Sequence, residues 1–200
     1  MKKTDYSLPD PEQVQPHVIF DHTYYTEGPV VDAAGHLYFT DLAGKSIWHW
    51  KDNIPQIWAK GVRPNGQALM LDGSLMVCDS GAACIVHYDV EGRIQKKMGA
   101  GLIGNIRVRC PNDIAIDLNH GIYFTDSVRH EGAVFFIGFS GNKKLVADQI
   151  DFANGIGLSP DGLTLFVAES YRNRILIMDL DGPGQAKSKK VFADLPVNAN

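Results

Sequence analysis

The feature that most constrains the fold is a short segment that recurs four times along the chain. Each copy has the same order: an anchor residue, a short apolar strand, a turn, a second strand and an acid. In the first three copies the anchor and the acid are equally far apart, and the fourth copy is one residue longer at the turn. The copies are EGPVVDAAGHLYFTD from Glu27 to Asp41, NGQALMLDGSLMVCD from Asn65 to Asp79, NDIAIDLNHGIYFTD from Asn112 to Asp126, and NGIGLSPDGLTLFVAE from Asn154 to Glu169. Such a repeat indicates an architecture of adjacent copies of one unit.

Strand-like alternation continues after each acid. A third strand follows, as in residues 46–50 (SIWHW) and 174–178 (RILIM), which are rich in β-branched and aromatic residues. A fourth strand comes before the next anchor position, at residues 56–59, 94–97, 144–147 and 191–194. Four strands in a repeat of about 40 residues are typical of a propeller blade. The sequence therefore predicts an all-β fold, a β-propeller with about four four-stranded blades.

The segment before the first anchor complicates the count of blades. Residues 17–21 (HVIFD) resemble a further outermost strand, which four complete blades leave without a place. In many propellers the N-terminal strand completes the last blade, and here that arrangement puts the inner strands of the last blade beyond Asn200. We therefore predict an N-terminal extension at residues 1–16 and a single propeller domain at residues 17–200 that is incomplete at its C-terminus. A closed four-bladed propeller is the alternative, but it leaves residues 17–21 or 191–194 unplaced.

Composition and charge argue against several classes of partner. Hydrophobic residues make up 44% of the chain, which is enough to bury a core in one domain. The 19 basic and 23 acidic residues give a net charge of -4 without a long block of either sign, which disfavours nucleic acid and anionic membranes as partners. Three cysteines without a CxxC pair favour reduced thiols. Because the first twenty residues also lack the apolar stretch of a signal peptide, we expect a cytoplasmic protein.

The anchors are the candidate functional residues. The innermost strands of a propeller line its central channel, so anchors far apart in sequence converge there. Glu27 supplies a carboxylate and Asn65, Asn112 and Asn154 supply amide oxygens, which together are ligands that a hard cation such as Ca²⁺ takes. Asn-Gly and Asn-Asp are also turn dipeptides, so each asparagine alone fits a turn equally well. A carboxylate on a narrow channel is costly unless it meets a cation, and Glu27 therefore favours the metal site.

The acids that end the repeats have a different interpretation. Asp41, Asp79 and Asp126 recur at one position in successive blades. A residue that recurs in this way more often ties neighbouring loops together through their backbone amides than takes part in catalysis. We interpret these acids as architectural.

Four motifs of the chain resemble the family that groups senescence marker protein, gluconolactonase and luciferin-regenerating enzyme. Residues 27–29 (EGP) are similar to its opening motif and residues 111–113 (PND) to its central motif. Residues 154–155 (NG), followed by residues 159–162 (SPDG), are similar to a third. Residues 64–66 (PNG) resemble a second-blade motif of bacterial gluconolactonases. The motifs stand in the order and spacing of the family.

The resemblance implies a calcium-dependent six-bladed propeller that opens a small-molecule sugar lactone by water attack on a metal-polarised carbonyl. It implies that Glu27, Asn112 and Asn154 bind the ion and that Asn65 and Asn112 can bind sugar hydroxyls. The family's fourth ligand and general base is an aspartate in a later PDG motif. Because residues 191–196 (VFADLP) resemble the lead-in to that motif, we expect the catalytic aspartate beyond Asn200 and do not expect these 200 residues to be active alone.

Two other functions fit the same residues. A broader lactonase or phosphotriesterase on a similar propeller can use the same ligands, because Ca²⁺ or another divalent cation polarises phosphoryl oxygens equally well. A metal-free propeller that binds a protein or peptide on its face belongs to a different functional class. A response of the protein to calcium separates this binding scaffold from the two enzymes.

Overall fold

The computed structural model describes residues 10, 12–22 and 24–196. In this structure every repeat begins with a hairpin that has an aspartate before its turn. The aspartate side chain accepts a hydrogen bond from the backbone N–H two residues further along, which lets it act as part of the turn. These aspartates are Asp32, Asp72, Asp117 and Asp161. In the first hairpin Gly35 has a φ of 85°, a conformation that favours glycine. The predicted turns are therefore present.

Each repeat forms an antiparallel sheet, and the sheets are numbered here as blades 1 to 4 in chain order. Blade 1 contains β1 (Thr26–Val31), β2 (Leu37–Asp41), β3 (Ser46–Lys51) and β4 (Ile54–Lys60). Blade 2 contains β5 (Pro64–Leu69), β6 (Leu75–Asp79), β7 (Cys84–Tyr88) and β8 (Ile94–Met98). A short hairpin of β9 (Leu102–Ile103) and β10 (Ile106–Arg107) follows. Blade 3 contains β11 (Pro111–Asp117), β12 (Gly121–Asp126), β13 (Gly132–Gly138) and β14 (Lys143–Ile150). Blade 4 contains β15 (Ala153–Leu158), β16 (Thr164–Glu169), a 3₁₀ turn (Ser170–Arg172), β17 (Arg174–Gly182), β18 (Gln185–Ala186) and β19 (Lys190–Asp194).

Strand order within the blades follows the chain from the first strand to the fourth, with β19 as the fourth strand of blade 4. The predicted third and fourth strands of the repeats all lie within observed strands. In each blade the residue just before the anchor pairs with the acid at one end of the first hairpin. The four predicted blades are thus confirmed.

The predicted strand at residues 17–21 is wrong, because this segment is not a strand in the structure. No strand within the described residues lies beside it to complete a ladder. Instead it packs through side chains, with the Phe20 ring 6.0 Å from Phe39 and 6.1 Å from Trp48 between ring centroids. The alternation of apolar and polar residues at 17–21 thus correctly indicated one apolar face, but it did not indicate that a neighbouring strand was present to form hydrogen bonds. Of the predicted N-terminal extension, residues 1–9 and 11 lie outside the described residues.

The core consists of three apolar clusters, one between each pair of consecutive blades. In β6, Leu75 and Val77 face blade 1 while Met76 and Cys78 face blade 3. Tyr123 in β12 likewise faces blade 4, whereas its neighbours in sequence face blade 2. This alternation follows from the two-residue period of a strand whose sheet is covered on both faces. The central blades 2 and 3 are therefore apolar on both sides.

The first strands of the blades lie side by side, with β5 packed between β1 and β11, and β11 packed between β5 and β15. Within the described residues, β15 and β1 make no comparable contact, so the blades form an open arc and not the closed four-bladed ring that the sequence left possible. No helix in the described parts of the chain is long and apolar enough to cross a membrane.

Candidate functional site

All four anchors occupy the same structural position. Each is the second residue of the first strand of its blade. In all four strands the register with the second strand shifts at this position. A β-bulge of this kind interrupts pairing and re-aims side chains, and bulges are common beside active sites.

The structure brings the predicted site residues together. Glu27, Asn65, Asn112 and Asn154 line one cavity of about 260 Å³. Asn65 is buried, with 6% of its surface exposed, so the cavity reaches below the surface of the protein. The convergence that the repeats predicted is therefore present, and it unites residues from four blades.

Threonine hydroxyls fix the backbone of two anchors from the preceding blade. The Thr40 hydroxyl lies 2.9 Å from the carbonyl oxygen of Asn65 and 3.1 Å from that of Glu27. The Thr125 hydroxyl donates to the Asn154 carbonyl oxygen at 2.7 Å. Because each threonine binds the anchor of the next blade, and Thr40 also binds the anchor of its own blade, these bonds hold adjacent inner strands at a fixed spacing.

Two side-chain amides in the site use their nitrogen atoms as donors to the protein. Asn154 Nδ2 donates to Ser170 Oγ at 3.1 Å, and Gln67 Nε2 donates to the Gly28 carbonyl oxygen at 2.8 Å. Gln67 also lines the cavity, and its Oε1 is buried without a hydrogen-bond donor among the described residues. A buried acceptor without a donor is costly. The site therefore has oxygen atoms that a cation or a ligand donor can satisfy.

Asp113 is a site residue that the sequence interpretation missed. It lines the cavity next to Asn112, and its Oδ2 accepts the Ile156 N–H at 3.0 Å. Burial raises the pKa of the Asp113 carboxyl, the N–H groups of Ile156 and Ile114 oppose this rise, and the negative charge of Glu27 adds to it. Because the charge of Glu27 disfavours ionisation of Asp113, a cation in the cavity would be attracted to both carboxyl groups.

A comparison of the residue that follows each anchor could have identified Asp113 from the sequence. This position is glycine in blades 1, 2 and 4 and Asp113 in blade 3. A Cβ on Gly66 would lie 2.5 Å from the Asn112 carbonyl oxygen and 2.5 Å from Asp113 Oδ1. A Cβ on Gly28 would lie 2.8 Å from the Asn65 carbonyl oxygen. Glycine thus permits close approach of the next blade, and the single exception places a carboxylate in the space.

The Glu27 carboxylate also has a neighbour at the mouth of the site. The negative charge of Glu27 and a hydrogen bond to its carboxylate raise the pKa of the Tyr25 hydroxyl. Tyr25 is 68% exposed, so it stands on the solvent side of Glu27. Tyr25 lies two positions before its anchor in the sequence.

The acids at the ends of the second strands hold loops, as expected. Asp79 accepts four backbone N–H groups, from Val62, Arg63, Gly81 and Ala82. The other acids make fewer such bonds, and all of them bind the loop or segment that leads into their blade. These acids and their donors are Asp41 with Gly44 N and His22 Nε2, Asp126 with Arg109 N and Cys110 N, and Glu169 with Asp151 N and Arg174 Nε.

The donor set of the cavity fits a hard cation. Within the described residues, no group of three or more His, Cys, Asp or Glu side chains could hold a metal, so a metal in this cavity would depend on amide oxygens. The cavity provides the carboxyl groups of Glu27 and Asp113 together with three asparagines and the unsatisfied Gln67 oxygen. Carboxylate and amide oxygens without sulfur or imidazole are the ligands of calcium.

The chain is similar to known lactone hydrolases. The model of the SMP-30/Gluconolactonase/LRE-like region matches residues 25–199. A gluconolactonase of Zymomonas mobilis is 26% identical over an aligned length of 207 residues, and the alignment covers 88% of this chain and 58% of that protein. Lactonase drp35 of Staphylococcus saprophyticus is 30% identical over 172 residues, which cover 77% of this chain and 51% of that protein. The chain therefore spans a little over half the length of these curated relatives.

The fold is also similar to solved structures. A gluconolactonase structure from Xanthomonas campestris superposes with a TM-score of 0.78 at 24% identity, covering 89% of this chain and 65% of that chain. The similarity supports the assignment of the four sheets as propeller blades. Because the family model matches nearly all of the described residues, the chain belongs to the SMP-30/Gluconolactonase/LRE-like family.

Proposed function

We propose that this chain takes part in the metal-dependent hydrolysis of a sugar lactone, with Ca²⁺ as the metal. The observation that carries the proposal is the convergence of Glu27, Asn112 and Asn154 from three different blades on one cavity. The names of the relatives, gluconolactonase and lactonase, point to the same class of reaction.

The anchors would divide the work of binding. Glu27, Asn112 and Asn154 would hold the cation through their side-chain oxygens. The Asn154 amide nitrogen is already bound to Ser170 Oγ, which leaves Oδ1 as the atom available for a metal. Asn65 and Asn112 would hydrogen-bond hydroxyl groups of the sugar, since an amide can both donate and accept. Asp113 would add negative charge to the cavity that holds the cation.

Lactone opening needs an electrophile and a base. The bound cation would polarise the lactone carbonyl and stabilise the charge that develops on its oxygen. The attacking water must lose a proton, and the family resemblance assigns the role of acceptor to the aspartate of a later PDG motif. Asp113 is a poorer candidate because its Oδ2 already accepts the Ile156 N–H.

A broader lactonase is the second candidate. It is favoured by the relative named lactonase drp35, which has 30% identity to this chain. The two candidates share the metal site and differ in substrate, so a panel of a sugar lactone, an aliphatic lactone and a phosphotriester separates them.

Hydrolysis can be followed as acid release in a pH-stat. For a chain that carries the aspartate of the later PDG motif, we expect release from glucono-1,5-lactone above the spontaneous rate in calcium and a loss of at least about tenfold in chelator, because the metal supplies the electrophile. Asn112→Ala should lose the calcium-dependent rate, and Asn119→Ala, in an exposed turn of the same blade, should retain it. Equal rates in calcium and chelator would contradict the proposal. Absence of both calcium binding and acid release would favour the metal-free binding scaffold.

A further inference from the structure

A second cavity lies between blades 2 and 3. Its walls are two rows of cross-strand neighbours, one running from Met76 through His87 to Lys96 and the other from Ile122 through Ile137 to Lys143. Neighbours across an antiparallel pair lie on the same face of the sheet. Met76, Ile122 and Ile137 belong to the core between these blades, so both rows face the same interface.

This cleft is at the opposite end of the blades from the anchors. Met76 is the second residue of β6, whereas Asp79, at the other end of that strand, binds the loop that leads to the anchor Asn65. The cavity has a volume of about 370 Å³. That volume is at the lower end of the range for small-molecule pockets, which is about 300–1,000 Å³.

The corresponding places between the other blades contain large aromatic side chains or a turn of the chain. Between blades 1 and 2, the Trp58 ring lies 5.4 Å from Tyr38 and 5.9 Å from Tyr88 between ring centroids. These three large aromatic side chains occupy the interface there. Methionine and isoleucine form most of the apolar lining between blades 2 and 3, and the aromatic residue Phe139, which also lines the cleft, is 48% exposed.

Between blades 3 and 4, the turn after β17 occupies part of the space, and a cavity of about 330 Å³ beside this turn is lined by the acids Asp117 and Asp161. Gly184 N donates to the Tyr123 hydroxyl at 2.9 Å, and Lys144 Nζ donates to the Pro183 carbonyl oxygen at 2.7 Å. The fit is close, because a Cβ on Gly184 would lie 2.7 Å from Phe136. Lys144 at this interface therefore has a backbone acceptor. Within the described residues no segment supplies such an acceptor to the lysines of the cleft between blades 2 and 3.

The cleft combines an apolar interior with positive charge. Met70, Met76 and Met98 line it, and so do Lys96, Lys97 and Lys143, whereas no acid among the described residues does. Within the described part of the chain none of these three ammonium groups makes a hydrogen bond or an ion pair. This positive cluster stands out in a chain of net charge -4.

We propose that the cleft binds a small amphipathic carboxylate, with its apolar tail against the three methionines and its carboxylate between Lys96 and Lys143. Methionine side chains are flexible and polarisable, which suits an apolar surface that adapts to a ligand. Lysine ammonium groups on facing walls complement a single negative charge at the mouth. The absence of an acid from the described lining disfavours a cationic head group.

Decanoate is a suitable probe, used with the full 200-residue chain and below its micelle concentration. With ¹³C-methyl methionine, we expect decanoate to shift the signals of Met70, Met76 and Met98. The signal of Met178, which is buried between blades 3 and 4, should stay in place. Decyltrimethylammonium has a similar tail, one carbon longer, and the opposite charge, so calorimetry should show binding at least about tenfold weaker.

Charge-reversal variants test the head group. We expect the double variant Lys96→Glu, Lys143→Glu to bind decanoate about tenfold more weakly, because two attractive contacts become repulsive. Lys51→Glu, an exposed substitution on blade 1, should bind like the parent chain. Both lysines of the pair are exposed, so the variant is expected to fold, and the unshifted Met178 signal checks this.

Three results would overturn the proposal. The first is no change in the three methionine signals up to the solubility limit of decanoate. The second is equal affinity for decanoate and decyltrimethylammonium, or for the parent chain and the double variant, since the cleft would then recognise only the tail. The third is a shift of the same signals with protein concentration alone, since a second copy of the chain would then occupy the cleft.

Discussion

Single side chains carry two separate tasks at the anchor end of the blades. The anchors supply oxygen atoms to the cavity, and the acids that close the first hairpins bind backbone amides. Both groups were identifiable from the sequence, because each recurs at one position of the repeat. Asp113 and Gln67 were not identified, since each occurs in one blade only and repetition cannot mark a single occurrence.

Removal of the Asp79 carboxylate should destabilise the fold. Asp79→Ala leaves four backbone N–H groups without their acceptor at a buried position, so we expect the free energy of unfolding to fall by about 3 kcal/mol. Asp181→Ala is the matched control, because this exposed carboxylate makes one surface ion pair and should change stability by less than about 1 kcal/mol. Urea unfolding of both variants measures the difference. Equal stabilities would show that the Asp79 bonds have no net role.

Strands and turns were predicted more completely than the contacts between them. Alternation and turn residues located the first, second and fourth strands of all four blades, and the third strands of blades 1 and 4, within a few residues. Residues 17–21 show the limit of the method, because a strand-like pattern reports one apolar face and not the presence of a neighbouring strand. The bulge at each anchor was also outside the prediction, since it depends on how the first strand meets the second.

Glycine after the anchor should control the spacing of the first strands. Gly66→Ala places a Cβ against the Asn112 carbonyl oxygen and Asp113, so we expect calcium affinity to fall at least about tenfold and stability to fall by about 1–2 kcal/mol. Gly157→Ala is the control, because a Cβ at this position of β15 has no neighbour within 4 Å. Calorimetry with calcium and urea unfolding provide the two readouts. Unchanged calcium binding in Gly66→Ala would show that the cavity tolerates displacement of these strands.

The arrangement of the four blades gives the site its composition. Residues from β1, β5, β11 and β15 meet because adjacent first strands pack side by side. The repeat period predicted this convergence, and the resemblance to the family predicted which anchors are ligands. The cleft between blades 2 and 3 could not be predicted, because it depends on which interface the chain fills with Trp58 or with the Pro183–Gly184 turn.

Calcium titration of the 200-residue chain by isothermal calorimetry tests the central claim most directly, namely that the anchors form a cation site. We expect one calcium ion to bind per chain and to raise the melting temperature, since a ligand that binds only the folded state stabilises it. Glu27→Gln should lose most of this binding, because it removes the carboxylate of the ligand set and keeps the shape of the side chain. Glu91→Gln, at an exposed turn of blade 2, should bind like the parent chain. Absence of calcium binding at millimolar concentration, or equal binding by Glu27→Gln and the parent chain, would contradict the account.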